Sequence, residues 1–188
     1  GAAKLAGEHY TSAYHQTYGL PTVIVRPFNA YGPREYEQGD LAEVIPRFVI
    51  RLLNGLPPVV FGNGENGRDF TYVTDTVRGL TLAASCDALS GQVVNIAYGR
   101  MITIRELALA AAKLCGREDI VPQFGSPRPG DVHTLHADTR RAKDLLGFKA
   151  EIDFEDGLGR YVDWFRAHHN DPSSLLEADL CNWQMPVI

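Results

Sequence analysis

The chemistry most readily available to this chain is the gripping of an anion. Arg68 follows a glycine-rich stretch, and Arg128 lies in SPRPGD. Each sits among turn residues at the edge of an element. A guanidinium presents a planar fork of donors that matches phosphate oxygens, so two arginines placed this way could clamp a diphosphate. The same pattern also reads as surface salt bridges, Arg68 with Asp69 or Asp75, which contribute little stability. Asn29, in RPFNAYGPRE, could offer its amide to a phosphate or bond its own backbone as a plain loop residue. Lys4 stands among Gly1, Ala2, Ala3, Ala6 and Gly7. Small residues admit a large group at close range, but by spacing alone Lys4 reads as a solvated lysine.

Two further patterns carry less. GNGENG, residues 62–67, is a literal G-x-G-x-x-G. A dinucleotide loop requires a helix after the glycines, and here a strand pattern follows, so a hairpin-like connection is expected. His133 and His136, with Asp131 and Asp138 nearby, have a spacing that suits neither a zincin helix nor a zinc ribbon, and no metal site is expected. His168 and His169 close a helix C-terminus, where a cation interacts well with the dipole.

The elements that must position these residues alternate. The pattern predicts a helix over 1–18 stopped by Gly19, a strand over 22–26, a helix over 44–54 and a strand over 59–61. A second strand is expected over 68–73, then a helix to about Cys86 capped by Thr74 or Asp75, and a strand over 93–97. Thr103 and Glu106 form a capping box for a helix to Cys115. A strand near 120–123 follows, then a helix over 139–146 capped by Asp138 and stopped by Gly147. Asp153 caps the last helix, to about His168. The tail 171–188 has no clear period. This is an α/β chain. Its first helix begins without a capping residue, which suggests that the natural chain extends upstream.

Bulk properties narrow the function. The chain has 188 residues, 45% apolar and 22% charged, the proportions of an ordinary globular protein. A net charge of -5 argues against a nucleic-acid partner or a membrane surface, and no apolar run reaches bilayer length. Cys86, Cys115 and Cys181 lack CxxC spacing and read as small core or surface residues in a reducing cytoplasm.

Four segments, in order, resemble the extended short-chain dehydrogenase/reductase family, specifically its NAD-dependent nucleotide-sugar epimerases and dehydratases. GAAKLAGEHY looks like the end of the Y-x-x-x-K motif and its helix. RPFNAYGPRE looks like R-x-F-N-x-Y-G-P, FGNGENGRDFTYVTD like G-x-G-x-x-x-R-D-F-x-Y-V-x-D, and PRPGDVHTLHAD like R-x-G-D followed by A-D. The resemblance runs to about Phe165 and reverses the bland readings of Lys4, Asn29, Arg68 and Arg128. It implies the C-terminal portion of a Rossmann-like NAD(P)-binding fold, residues 1–29 and 75–97. To this it adds a small mixed α/β substrate-binding domain, residues 30–74 and 98–170.

The resemblance also implies roles. Lys4 would bind the nicotinamide ribose and lower the pKa of a catalytic tyrosine, since a nearby ammonium favours the phenolate. Pro27 and Phe28 would pack near the nicotinamide, and Asn29 would bond the substrate diphosphate. Val44, Val59 and Phe61 would lie around the base, Arg68 and Arg128 would hold the phosphates, and Asp131 the ribose hydroxyls. The cofactor would be NAD in preference to NADP, the ligand a UDP- or dTDP-linked sugar, the assembly a homodimer and the location cytoplasmic. The tyrosine of the motif would fall one position before Gly1, and the family's glycine-rich loop also belongs upstream, so the chain alone is expected to be inactive.

The implied reaction is transient oxidation of the sugar at C4 to a 4-keto sugar. A UDP-glucose 4-epimerase-like activity is expected from PFNAYGPRE. A 4,6-dehydratase or decarboxylase is the alternative, and a non-catalytic nucleotide-sugar-binding module is the rival from another class.

Overall fold

The computed structural model describes residues 1–38, 42–177 and 180; the expectation for Cys181 lies outside them, while the start of the tail forms a short 3₁₀ turn, Pro172–Leu175. In chain order the elements are α1 (Ala2–Tyr18), β1 (Val23–Pro27), β2 (Ala30–Tyr31), α2 (Val44–Leu53) and β3 (Val59–Phe61). There follow β4 (Gly67–Arg68), β5 (Thr71–Tyr72), α3 (Val73–Ala84), β6 (Gln92–Ile96), β7 (Ile102–Thr103) and α4 (Ile104–Leu114). The chain continues with β8 (Gln123–Gly125), β9 (Thr134–Leu135), α5 (Arg140–Leu146) and α6 (Phe154–His168). They divide into two compact units. The first holds residues 1–30, 69–100 and 136–152, and the second holds 31–68, 101–135 and 153–188.

In the first unit β1 pairs parallel with β6, Val23 opposite Gln92 and Pro27 opposite Ile96. Its core is Ala83, Leu89, Val94, Ile96, Ala142 and Phe148. Ala142 lies on α5 and Phe148 just beyond it, so residues 136–152 pack in this unit. Asp75 does not cap α3. It is 2% exposed and accepts from the backbone N–H of Glu151 and Ile152, both at 2.9 Å, and from Arg78 at 2.8 Å. The carboxylate thus holds the chain after α5 against α3, and α3 begins at Val73 with no side-chain cap. Helix α1 buries no residue. It ends, as expected, at Gly19 in the left-handed conformation, φ 66°.

In the second unit β3 pairs parallel with β8, while β4 lies between β7, antiparallel, and β9, parallel. The expected hairpin from β3 to β4 does not form. The glycine loop joins two different sheets, and its carbonyls serve the start of α4. Gly64 O accepts from Arg105 N and Asn66 O from Ile104 N, both at 3.0 Å, satisfying donors that a helix leaves without partners. A Cβ on Gly64 would stand 3.1 Å from both Arg105 and Val60 side-chain carbons, at a φ of +78°. The capping box of Thr103 and Glu106 forms as expected, as does the cap from Asp153 to Glu155 N. Helix α2 packs on α4 and α4 on α6, around Phe48, Val49, Leu52, Leu107, Leu158 and Phe165, each at most 3% exposed.

Two strand boundaries also differ from the sequence pattern. The expected strand over 68–73 is split at Asp69–Phe70. Asp69 is fully buried, and its carboxylate turns to the backbone N–H of Gly99 at 3.1 Å and of Ala137 at 3.3 Å. The strand expected near 120–123 begins instead at Gln123, after a turn closed by Ile120 N donating to Arg117 O. Asp138 bonds Arg140 N at 3.0 Å, although the residue bordering α5 is Thr139.

Candidate functional site

The candidate residues fall into two sets, one in each unit. In the first unit, Lys4 is exposed on the first turn of α1. A Cβ added to Gly1 or Gly7 would meet nothing within 4 Å, so the small-residue face of the helix is open to a bulky group. Pro27 ends β1, and the next backbone N–H, that of Phe28, donates to Ile96 O at 3.0 Å. These residues therefore stand at the carboxyl end of a parallel strand, where ligands bind in open α/β sheets.

Asn29 has a positive φ of 29°, rare for a side chain other than glycine. It is pinned from both sides. Its side-chain amide donates to Asp69 O at 3.1 Å, and its main-chain carbonyl accepts from Thr71 N at 3.2 Å. One of the two amide hydrogens is thereby spent within the fold, and a primary amide has a second.

Asp69 is a residue that the sequence pattern did not single out. Burial pushes its carboxyl above the usual range, opposed by the N–H groups of Ala137 and Gly99 and by the charge of His136. Its carboxylate ties the backbone of Gly99 and Ala137, and its main-chain carbonyl accepts from Asn29. Its signal in the sequence was weak, because an acid following an arginine in a strand pattern reads as a surface pair.

In the second unit the sequence RPGD builds its own turn. Asp131 N donates to Arg128 O at 3.3 Å; Pro129 occupies the second position and Gly130, φ 69°, the third, the signature of a type II turn. This turn presents Asp131 to Arg68. Arg68 Nη2 meets Asp131 Oδ1 at 2.7 Å, with the two side chains 14% and 27% exposed. Arg68 Nη1 donates to Gly67 O at 2.8 Å and Val132 O at 2.7 Å. Arg68 thus pairs with Asp131 and not with Asp69 or Asp75. Three acceptors hold its guanidinium in one plane, while Arg128 is exposed at the turn.

Val59 and Phe61 share one face of β3 by strand alternation, while Val60 points oppositely and is fully buried. Gly125 in β8 adjoins that face: its missing Cβ would lie 3.2 Å from Phe61 and 3.9 Å from Val59. The result is a flat apolar ledge suited to a planar ring. Val44 opens α2 and is partly buried. Among the described residues no group of three or more His, Cys, Asp or Glu could hold a metal ion, and no helix is long and apolar enough to cross a membrane.

The second unit also contains an acidic group that no motif announces. Glu35 is partly buried; its carboxyl is pushed up to about 8, chiefly by burial, with Gly32 N–H opposing and the charge of Glu43 adding. Glu37 Oε1 lies 2.9 Å from His169 Nε2, close in distance but outside hydrogen-bond geometry. Among the described residues the buried Tyr161 hydroxyl has no hydrogen-bond partner, and burial, Glu35 and Glu37 all raise its pKa.

Comparison with known proteins identifies the family. The family model described as GDP-mannose 4,6 dehydratase matches residues 1–161. A dTDP-glucose 4,6-dehydratase of Actinoplanes sp. is 36% identical over 90% of the chain and 51% of its own length. The structure of a UDP-glucose 4-epimerase with UDP-glucose, from Thermotoga maritima, aligns with a TM-score of 0.83 and 36% identity, over 89% of this chain and 53% of that one. A dTDP-glucose 4,6-dehydratase of Streptomyces venezuelae with NAD bound aligns at 0.80 and 31%, over 89% and 50%. The chain spans about half the length of the relatives it matches. The chain belongs to the GDP-mannose 4,6 dehydratase family, among the nucleotide-sugar epimerases and dehydratases of the extended short-chain dehydrogenase/reductase group.

Proposed function

We propose that this chain is the substrate-binding part of an NAD-dependent nucleotide-sugar 4-epimerase acting on a UDP- or dTDP-linked sugar. The observation that carries the reading is the Arg68–Asp131 pair at 2.7 Å, set beside Arg128 by the RPGD turn. In this reading Arg68 and Arg128 hold the diphosphate, Asp131 also accepts ribose hydroxyls, and Val44, Val59 and Phe61 receive the base. A carboxylate has about four lone-pair positions, so Asp131 retains capacity beyond Arg68. In the first unit Asn29 offers its second amide hydrogen to a phosphate oxygen.

The open face around Lys4 and the strand-end position of Pro27 and Phe28 fit the nicotinamide end of NAD. NAD, when bound, supplies the hydride acceptor for oxidation at C4 of the sugar. Lys4 holds ribose hydroxyls and favours the ionised form of an adjacent tyrosine through its positive charge. A homodimer through α1 belongs to the same reading, supported by the exposure of Leu5, Tyr10 and Tyr14 on that helix.

Thermal unfolding of the chain with UDP, dTDP, GDP or NAD in excess tests this. A ligand at about 100 times its dissociation constant adds about 2.7 kcal/mol, a rise of a few degrees in Tm. A rise with UDP and none with NAD is the expected result. No rise with any nucleoside diphosphate, from a chain that melts cooperatively, removes the phosphate roles of Arg68 and Arg128. A preference for dTDP favours a second reading, a 4,6-dehydratase, which is the description of the matching family model and of the 36% identical relative.

A further inference from the structure

His133, set aside as a metal ligand, and Asn66, inside the glycine loop, belong to no role described so far. Both touch the same network. Asn66 Nδ2 donates to Asp131 Oδ2 at 2.7 Å, and Asn66 Oδ1 meets His133 Nδ1 at 3.0 Å. The other carboxylate oxygen of Asp131 carries Arg68. Four side chains therefore form one line: His133, Asn66, Asp131, Arg68.

The direction of every bond in this line is determined by chemistry. A carboxylate only accepts, so the nitrogen of the Asn66 amide must face Asp131. The amide oxygen then faces His133 and also only accepts, so Nδ1 must carry the hydrogen. The reversed amide would set an oxygen against a carboxylate oxygen, two acceptors with no hydrogen between them. The backbone keeps the two ends in register. Gly67 N donates to His133 O at 2.8 Å and Asn66 O accepts from Ile104 N, while β4 and β9 pair at Gly67 and Thr134.

We propose that Asn66 and His133 are positioning residues for the phosphate-binding arginine. This rests on the reading of Arg68 and Asp131 as nucleotide ligands. His133 fixes the Asn66 amide, the amide fixes the Asp131 carboxylate, and the carboxylate holds the guanidinium of Arg68 in the plane that meets a diphosphate. An arginine held this way loses less freedom when the ligand arrives. Neither residue touches the ligand in this scheme.

The test has two arms, both on the full chain. The first is the dissociation constant for UDP and dTDP, by calorimetry, in wild type, Asn66→Asp, Asn66→Ala, His133→Ala and the Asn66→Ala/His133→Ala double variant, with Tm checked for each. Asn66→Asp sets two carboxylates face to face and weakens binding about tenfold, the scale of a charge-assisted hydrogen bond. His133→Ala weakens it about threefold, the scale of a neutral one. The double variant matches Asn66→Ala, because His133 acts only through Asn66. Additive losses, or unchanged binding in His133→Ala, overturn the inference.

The second arm needs no ligand. Long-range ¹H–¹⁵N spectra of the free chain report which imidazole nitrogen of His133 is protonated, and the partner of the other nitrogen sets that choice. Nδ1–H in wild type, lost in Asn66→Ala, is expected. Nε2–H alone in wild type overturns the relay. A wild-type chain that binds neither UDP nor dTDP overturns the clamp reading and the positioning role with it, whereas intact binding with the wrong tautomer overturns the relay alone.

Discussion

Arg68 combines two properties that seldom coincide at a surface. Its side chain is 14% exposed, yet its partners are one carboxylate and two backbone carbonyls. In the proposed reading, replacing Arg68 by Ala removes a charge that holds the diphosphate. The expected outcome is at least a tenfold loss of UDP affinity by calorimetry, since hydrogen bonds to charged groups are worth about 1.5–3 kcal/mol. Glu35 supplies a prediction of a different kind. Its folded-state value, about 8, lies above its ordinary 4.5. Between those values the folded state binds more protons than the unfolded one, so this group's contribution is complete below about pH 4.5 and is lost as pH rises toward about 8. Each pH unit in that window is worth about 1.4 kcal/mol at most. Urea unfolding from pH 5 to pH 8 should show stability falling with pH, and Glu35→Gln should flatten the fall. An unchanged slope in that variant removes Glu35 as the cause. Tyr161, Glu43 and the Glu37–His169 pair face the same region of the second unit, which is why the comparison is with the variant and not with an absolute slope.

Among the elements, α3 shows where packing outweighs propensity. Gly79 sits in the middle of it, where alanine would normally add about 1 kcal/mol of helix stability. A Cβ there would approach Ile96 of β6 to 2.5–3.0 Å, in side-chain atoms that are fully buried. Overpacking typically costs about 1–3 kcal/mol, so Gly79→Ala should lower the unfolding midpoint despite the gain in propensity; a raised midpoint would mean that α3 can move off β6. The helix ends were legible in the sequence. Gly19 and Gly147 terminate α1 and α5 in the left-handed conformation, and Thr103 with Glu106 starts α4, because each signal acts within a few residues of itself. The start of α3 was not. Asp75 has the right type for a cap, but α3 starts two residues before it, at Val73, and its carboxylate is claimed by the N–H groups of Glu151 and Ile152, the first of them 76 positions away.

At the scale of the whole molecule, the G-x-G-x-x-G of residues 62–67 runs into strand β4 and not into a helix, and the chain spans about half the length of its relatives. In the proposed reading it supplies only the substrate-binding part, and the expected outcome is no interconversion of a UDP-sugar in the presence of NAD. Measurable epimerisation in a coupled assay would show that another group supplies the base. The sequence by itself determined the family, through four motifs in order, the α/β alternation, and the local devices: the glycine caps, the Asp153 cap and the capping box of Thr103 and Glu106. Each depends on residues close together in the chain, where side-chain type and backbone geometry are directly linked. Only the tertiary structure decided that β4 lies between β7 and β9, that residues 136–152 join the first unit, and that Arg68 pairs with Asp131. The line from His133 to Arg68 is of the same kind. Its partners come from two segments more than sixty positions apart, and hydrogen bonds at that separation leave no periodic trace in a single sequence, since they are set by how strands meet.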